Sequence, residues 1–197
     1  MDTKPEAMVY DATAGNRTIW VTKDHPFVLF GDIETELTIQ PDDFIDSRDT
    51  GLPDESKYMI IFDPPHSVNY TRYSGFMTTP NLKDAQRKWG KKLNGSRPPR
   101  YYGADIYKTK KELKNYIFQS QKEFMRILKP SGVLFLKWNE RNIKFNDIIK
   151  LFSNWDLMLK IKVQGQGSEG TKNKTYWALL MKTQKAAAQT ELTEALK

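Results

Sequence analysis

The tetrapeptide Asp63-Pro64-Pro65-His66 follows the apolar run Met59-Ile60-Ile61-Phe62, and its residue types suit one kind of chemistry. Two consecutive prolines fix φ twice, so the backbone is rigid and its carbonyls point in set directions. With the Asp63 carboxylate ahead and the flat His66 ring behind, such a turn can accept hydrogen bonds from an amino group and stack on the base that bears it. Upstream, Asp11-Ala12-Thr13-Ala14-Gly15-Asn16-Arg17-Thr18 follows an earlier apolar run. Small residues there let the backbone approach a ligand closely, and a helix start after them would offer free N–H groups to a carboxylate or phosphate. The second run ends Phe30-Gly31-Asp32-Ile33-Glu34, which puts an acid roughly 20 residues beyond the small-residue turn, where ribose hydroxyls are held in nucleotide-binding α/β units. Asp46-Ser47-Arg48-Asp49 comes next. Each segment alone also reads as an ordinary turn; their order along the chain gives them weight.

These residues need elements to hold them. Short apolar runs bounded by turn residues recur at 8–10, 27–30, 44–45, 59–62, 133–138, 157–163 and 176–181, and their length and β-branched or aromatic content predict strands. From about Lys110 to Leu128 the spacing of Leu113, Ile117, Phe124 and Leu128 predicts a helix, which Lys129-Pro130-Ser131-Gly132 should end. Strands alternating with connecting segments imply an α/β fold with a largely parallel, Rossmann-like sheet. The last two runs are joined by the Gly-rich segment Gln164 to Gly170, which reads as a hairpin, so the final strand should be antiparallel. The 197 residues suit one domain, assigned to residues 1–184. An insertion at about 67–105, with Pro80, Gly90, Gly95, Pro98, Pro99 and Gly103, is too long for an ordinary connection and is read as substrate-contacting. The segment 185–197 is rich in Ala, Gln and Glu with a thin apolar stripe; it is expected to fray or to dock on a partner subunit or a second copy.

Composition narrows the chemistry further. There is no cysteine, which excludes a disulfide framework, a thiolate metal site and a cysteine nucleophile. The net charge is +7, and the excess concentrates between Lys83 and Lys114. Within that stretch Arg87-Lys88-Trp89-Gly90-Lys91-Lys92 and Arg97-Pro98-Pro99-Arg100-Tyr101-Tyr102 interleave cations with aromatics. Arg87, Lys88, Lys91, Lys92, Arg97 and Arg100 suit phosphates, while Trp89 and Tyr101 suit stacking; a solvated basic loop is the bland alternative. No apolar run approaches the roughly 18 residues of a membrane span, and Met1 to Met8 lacks the apolar core of a signal peptide, so a soluble, cytoplasmic protein without a membrane partner is expected.

Asp63-Pro64-Pro65-His66 resembles the Asp-Pro-Pro-Tyr signature of amino-methyltransferases acting on adenine N6, cytosine N4 or guanine N2. More specifically, the chain resembles small class I S-adenosylmethionine-dependent methyltransferases of phages and prophages. They share a Gly-x-Arg-x-x-Trp motif (Gly15-Asn16-Arg17-Thr18-Ile19-Trp20), a Phe-Asp-Pro-Pro-His block (Phe62 to His66), a strand ending Lys137-Trp138-Asn139-Glu140 and a last strand with Tyr176-Trp177 to Met181-Lys182. The match runs in order through most of Val9 to Lys182 and leaves the C-terminal segment unmatched.

The resemblance implies the class I methyltransferase sheet, S-adenosylmethionine as cofactor, no metal, and a nucleic-acid partner in a bacterial or archaeal host, with a phage gene as one source. It puts Asp11, Ala14 and Gly15 near the methionine part of the cofactor, Asp32 at its ribose, and Asp46 and Ser47 beside its adenine. Asp63, Pro64, Pro65 and His66 would hold the target amine, with His66, Tyr70 and Tyr73 stacking on a flipped base. Methylation at pyrimidine C5 normally needs a cysteine adduct, so that route is closed. There are two departures: His66 stands where an aromatic is usual, and Arg17 where most adenine methyltransferases have a small residue. The insertion, about forty residues long, is shorter than a separate recognition module, which implies low sequence specificity or dependence on a partner. DNA adenine N6 or cytosine N4 is the favoured acceptor. An RNA base, a protein side-chain amide and a catalytically silent nucleic-acid-binding subunit remain as alternatives.

Overall fold

The computed structural model describes residues 6–35, 37–68, 107–163 and 174–183. Every one of the seven apolar runs is a strand: β1 (Val9–Asp11), β2 (Val28–Asp32), β3 (Asp43–Phe44), β4 (Lys57–Phe62), β5 (Leu128–Asn139), β6 (Trp155–Val163) and β7 (Thr175–Lys182). They form one sheet in the order β3-β2-β1-β4-β5-β7-β6. β1 to β5 pair in parallel, while β7 lies antiparallel to both β5 and β6. This is the mostly parallel, Rossmann-like α/β sheet closed by antiparallel strands that the sequence predicts.

The register sets up the site. Asp11 lies opposite Phe30 on β2 and Ile61 on β4, so the carboxyl ends of β1, β2 and β4 carry Asp11, Asp32 and Asp63 at one edge of the sheet. Behind them stands α1 (Lys110–Ile127), which begins where Thr109 Oγ1 accepts the Glu112 N–H at 3.1 Å and Glu112 Oε2 accepts the Lys108 N–H at 2.9 Å. Its buried face, with Leu113, Ile117, Phe124 and Ile127, joins a core with Phe62, Leu134, Leu136, Trp138, Ala178 and Leu180 from the sheet. Phe124 meets Phe62 edge-on at 4.8 Å between centroids. Each such side chain stabilises the fold by about 1.5–3 kcal/mol through burial.

Three features differ from expectation. The helix expected after Gly15 is absent: residues 12–27 form turns, and this turn-rich loop makes the crossover between the parallel β1 and β2. Lys129 to Gly132 do not form a separate turn, because the chain becomes extended at Leu128 and enters β5 directly. Leu128 pairs with Lys57 and Val133 with Met59, so the intervening residues are the surplus of a bulge. Gly132 fits there because a Cβ would come within 2.6 Å of the Leu128 side chain and 3.0 Å of the Tyr58 carbonyl. A short helix, α2 (Phe145–Ile149), seats Phe145 and Ile148 in the core and was not foreseen. The Gly-rich segment 164–170, most of the insertion and the segment 185–197 lie outside the described residues. Among the described residues no helix is long and apolar enough to cross a membrane.

Candidate active site

Strand alternation sends Tyr10 into the core beside α1 and turns Asp11 to the opposite face. There Asp11 is buried; its Oδ2 accepts the Trp20 indole N–H at 2.6 Å and its Oδ1 accepts the Thr13 N–H at 3.2 Å. Burial pushes its carboxyl up to about 6, with Asp63 and Asp32 adding to the rise and the two hydrogen bonds opposing it. Asp32 Oδ2 accepts the Gly15 N–H at 2.8 Å and its Oδ1 accepts the Glu34 N–H at 2.9 Å. A carboxylate has about four acceptor positions, so capacity remains for hydroxyl donors. Gly15 has φ +51, and an added Cβ would meet nothing within 4 Å. The positive φ favours glycine there, and among the described residues the space above it is open. Ala14 is buried against Phe30 and Val28 and donates its N–H to the Gly31 carbonyl at 3.0 Å.

The Asp63-Pro64-Pro65-His66 turn is anchored at its first residue. Asp63 donates its N–H to Thr13 Oγ1 at 2.7 Å, which ties the end of β4 to the loop after β1. Its Oδ2 accepts from Lys137 Nζ at 2.6 Å, a buried carboxylate against a half-buried ammonium. Burial pushes the Asp63 carboxyl above the ordinary range, and the Lys137 charge and hydrogen bond offset only part of that rise. Pro64 is buried, and Pro65 and His66 are half-buried. The His66 ring stands edge-on to Trp138 at 6.5 Å. Burial, then the charges of Lys137 and Arg141, push its pKa down to about 4. The imidazole is consequently neutral at physiological pH.

Asp46 and Ser47 take up separate tasks. Asp46 is paired with Arg48 at 2.6 Å, which holds its carboxyl below the ordinary range. Ser47 Oγ donates to Tyr116 Oη at 2.9 Å and lies 2.9 Å from Ser120 Oγ. The hydroxyl is thus turned into the core to lock the loop after β3 onto α1.

The Gly-x-Arg-x-x-Trp motif has a structural explanation. Arg17 is buried, with its guanidinium 3.9 Å above the Phe30 ring. One Nη donates to the Gln40 carbonyl at 2.9 Å and to Asp42 Oδ1 at 3.0 Å, and the other donates to the Lys23 carbonyl. Trp20 packs edge-on to the same Phe30 at 5.3 Å while bonding Asp11. Together they clasp residues 12–27 in place of the missing helix, so Arg17 has a structural role here. Lys137 is the functional candidate that sequence reasoning missed: its block was noted, but nothing signalled that its ammonium reaches Asp63, 74 residues away.

Tyr70, Tyr73, Arg87, Lys88, Trp89, Lys91, Lys92, Arg97, Arg100 and Tyr101 lie outside the described residues. Among the described residues no group of His, Asp and Glu is placed to hold a metal.

No protein-family model matches the sequence, and no curated protein matches it. Among solved structures, the chain is similar to the PH0226 protein of Pyrococcus horikoshii at 13% identity, over 89% of this chain and 81% of that one, with a TM-score of 0.51. It is also similar to a SAM-dependent methyltransferase of Methanosarcina mazei (10% identity, 89% and 92% covered, TM-score 0.47). A third likeness is to a SAM-dependent methyltransferase of Leishmania major (12% identity, 87% and 63% covered, TM-score 0.47). At 13% identity, what the first likeness shows is the shared fold.

Proposed function

We propose that this protein is an S-adenosylmethionine-dependent methyltransferase acting on an exocyclic amino nitrogen of a nucleic-acid base, with DNA adenine N6 or cytosine N4 favoured. The observation that carries this reading is the meeting of Asp11, Asp32 and the Asp63 turn at adjacent strand ends, beside the open space over Gly15. Ligands of open α/β sheets sit at such carboxyl ends. The residues fit the cofactor. Asp32 is fixed by two backbone N–H groups and keeps acceptor capacity for ribose hydroxyls, and carboxylates of neighbouring strands suit a ligand bearing a sulfonium and an ammonium. When bound, that cofactor supplies an electrophilic methyl group.

The protein's part is alignment and charge. Methyl transfer is an in-line displacement, so the acceptor nitrogen must be held on the reaction axis while positive charge builds on it. Lys137 occupies Oδ2 of Asp63, leaving Oδ1 for one amine hydrogen; the Pro64 carbonyl, which already accepts from the His66 ring, has a second lone pair for the other. The neutral His66 ring supplies a flat face for the base. The partner on this reading is nucleic acid held by the basic insertion, in the cytoplasm of a bacterial or archaeal host, with a phage origin like that of the enzymes it resembles.

Incubation with methyl-labelled cofactor and a mixture of DNA, RNA and protein, followed by nucleoside identification, tests this directly. Label is expected in an N-methylated base. Asp63→Ala should abolish turnover and leave cofactor affinity within about twofold, because Asp63 is assigned to the amine and not to the cofactor. Activity surviving within a few-fold would place the chemistry elsewhere.

A further inference from the structure

On β5, Leu134, Leu136 and Trp138 are fully buried in the core beside α1, so Phe135, Lys137 and Asn139 take the other face. Phe62 pairs with Leu136, and the next residue on each strand brings Asp63 level with Lys137. The result is an ion pair of 2.6 Å whose side chains are 7% and 24% exposed. Taking both charges from water costs several kcal/mol per ion, and an apolar residue of similar volume would often stabilise a fold as well or better. Stability alone is therefore a poor reason for a lysine here.

We propose that Lys137 is the positioning residue of the site: its ammonium takes one oxygen of Asp63, opposes protonation of the carboxylate, holds it in one orientation and leaves its other oxygen to face the amine. This rests on the methyl-transfer reading above. The groups facing Asp63 make the need clear. Asp11 on β1 interacts with it as a like charge, and burial already favours its neutral form. His66, on the same turn, is uncharged, and Arg141, beyond β5, acts on His66. Among the described residues, Lys137 is the cation bonded to the carboxylate. Without it a buried carboxyl beside Asp11 gains a proton, and an O–H would donate toward the amine instead of accepting from it.

The test uses full-length protein carrying carboxyl-labelled aspartate, titrated by carbon NMR, with Asp63→Asn to assign the signal. Lys137→Met should raise the Asp63 midpoint by about 1–3 pH units, and Lys137→Arg should restore it. In single-turnover methyl transfer, the acid limb of the rate profile should move with that midpoint. Lys137→Met should then recover to within a few-fold of wild type at high pH, with cofactor affinity unchanged. An unmoved midpoint, or a rate loss equal at every pH, overturns the proposal. A wild type that transfers no methyl group, but whose Asp63 midpoint still moves on Lys137→Met, supports the Lys137–Asp63 coupling and overturns the methyl-transfer reading instead.

Discussion

The sheet beneath α1 and the sheet edge formed by β1, β2 and β3 are held together by different forces. Under α1, Leu113, Ile117 and Phe124 close over Phe62, Leu134 and Leu136, and the stabilisation is apolar burial. At the other edge the strands have three, five and two residues, and turn-rich loops join them. Here a small apolar cluster of Ala14, Val28 and Phe30 is supplemented by directed polar links: Arg17 to Asp42, Trp20 to Asp11, Gly15 to Asp32, and Asp42 Oδ2 accepting the Phe30 N–H at 3.0 Å. Apolar packing buries what it joins. Polar links can fix a loop while leaving backbone and carboxylate oxygens available, which is what a nucleoside ligand requires. The difference teaches that the loops after β1 and β2 are fixed largely by polar links, whereas the Asp63 turn and Lys137 stand at the rim of the apolar half.

Damage to the apolar half should stay out of the site. Phe124→Ala removes a fully buried ring and is expected to cost about 3–5 kcal/mol of unfolding free energy in urea. Cofactor affinity, measured by calorimetry where the variant is folded, should stay within about twofold of wild type. A folded Phe124→Ala protein that no longer binds cofactor would break the comparison.

A smaller, pH-dependent effect is expected from the polar half, where Asp11 carries a stability cost. Its folded pKa of about 6 lies above the ordinary 3.8, so the folded state binds more protons in that window, and stability falls as pH rises through it. Above pH 6 the full penalty applies, on the order of 3 kcal/mol at most. Asp11→Asn removes the penalty, so the difference in melting temperature between variant and wild type should favour the variant more at pH 8 than at pH 4. His66 works the other way, with a folded pKa of about 4 that makes stability rise with pH up to 6.5, but it is common to both proteins and cancels. A difference that does not change with pH would mean that Asp11 is not held against its ionisation.

What could be read in the sequence divides along the same line. The strands and α1 follow from local periodicity, since Leu113, Ile117 and Phe124 announce a buried stripe without reference to distant residues. The loop at 12–27 was misread as leading into a helix because its shape depends on Arg17 reaching Asp42, 25 residues on. Ser47 looked available until Tyr116 and Ser120 were seen to engage it from 69 and 73 residues away. Lys137 lies inside an apolar run near the end of its strand and, read locally, is only a polar position on the strand's other face. Asp11, Asp32 and Asp63 were legible because each stands at the carboxyl end of its own strand, and a parallel sheet brings such ends together.

The most direct test of the central claim is calorimetric titration of S-adenosylmethionine into the wild type and Asp32→Ala. The account predicts saturable binding of one equivalent to the wild type, and at least a tenfold weaker dissociation constant in the variant, about 1.4 kcal/mol, from loss of the carboxylate that Gly15 and Glu34 fix at the ribose position. Equal dissociation constants, or no binding to the wild type, would contradict it.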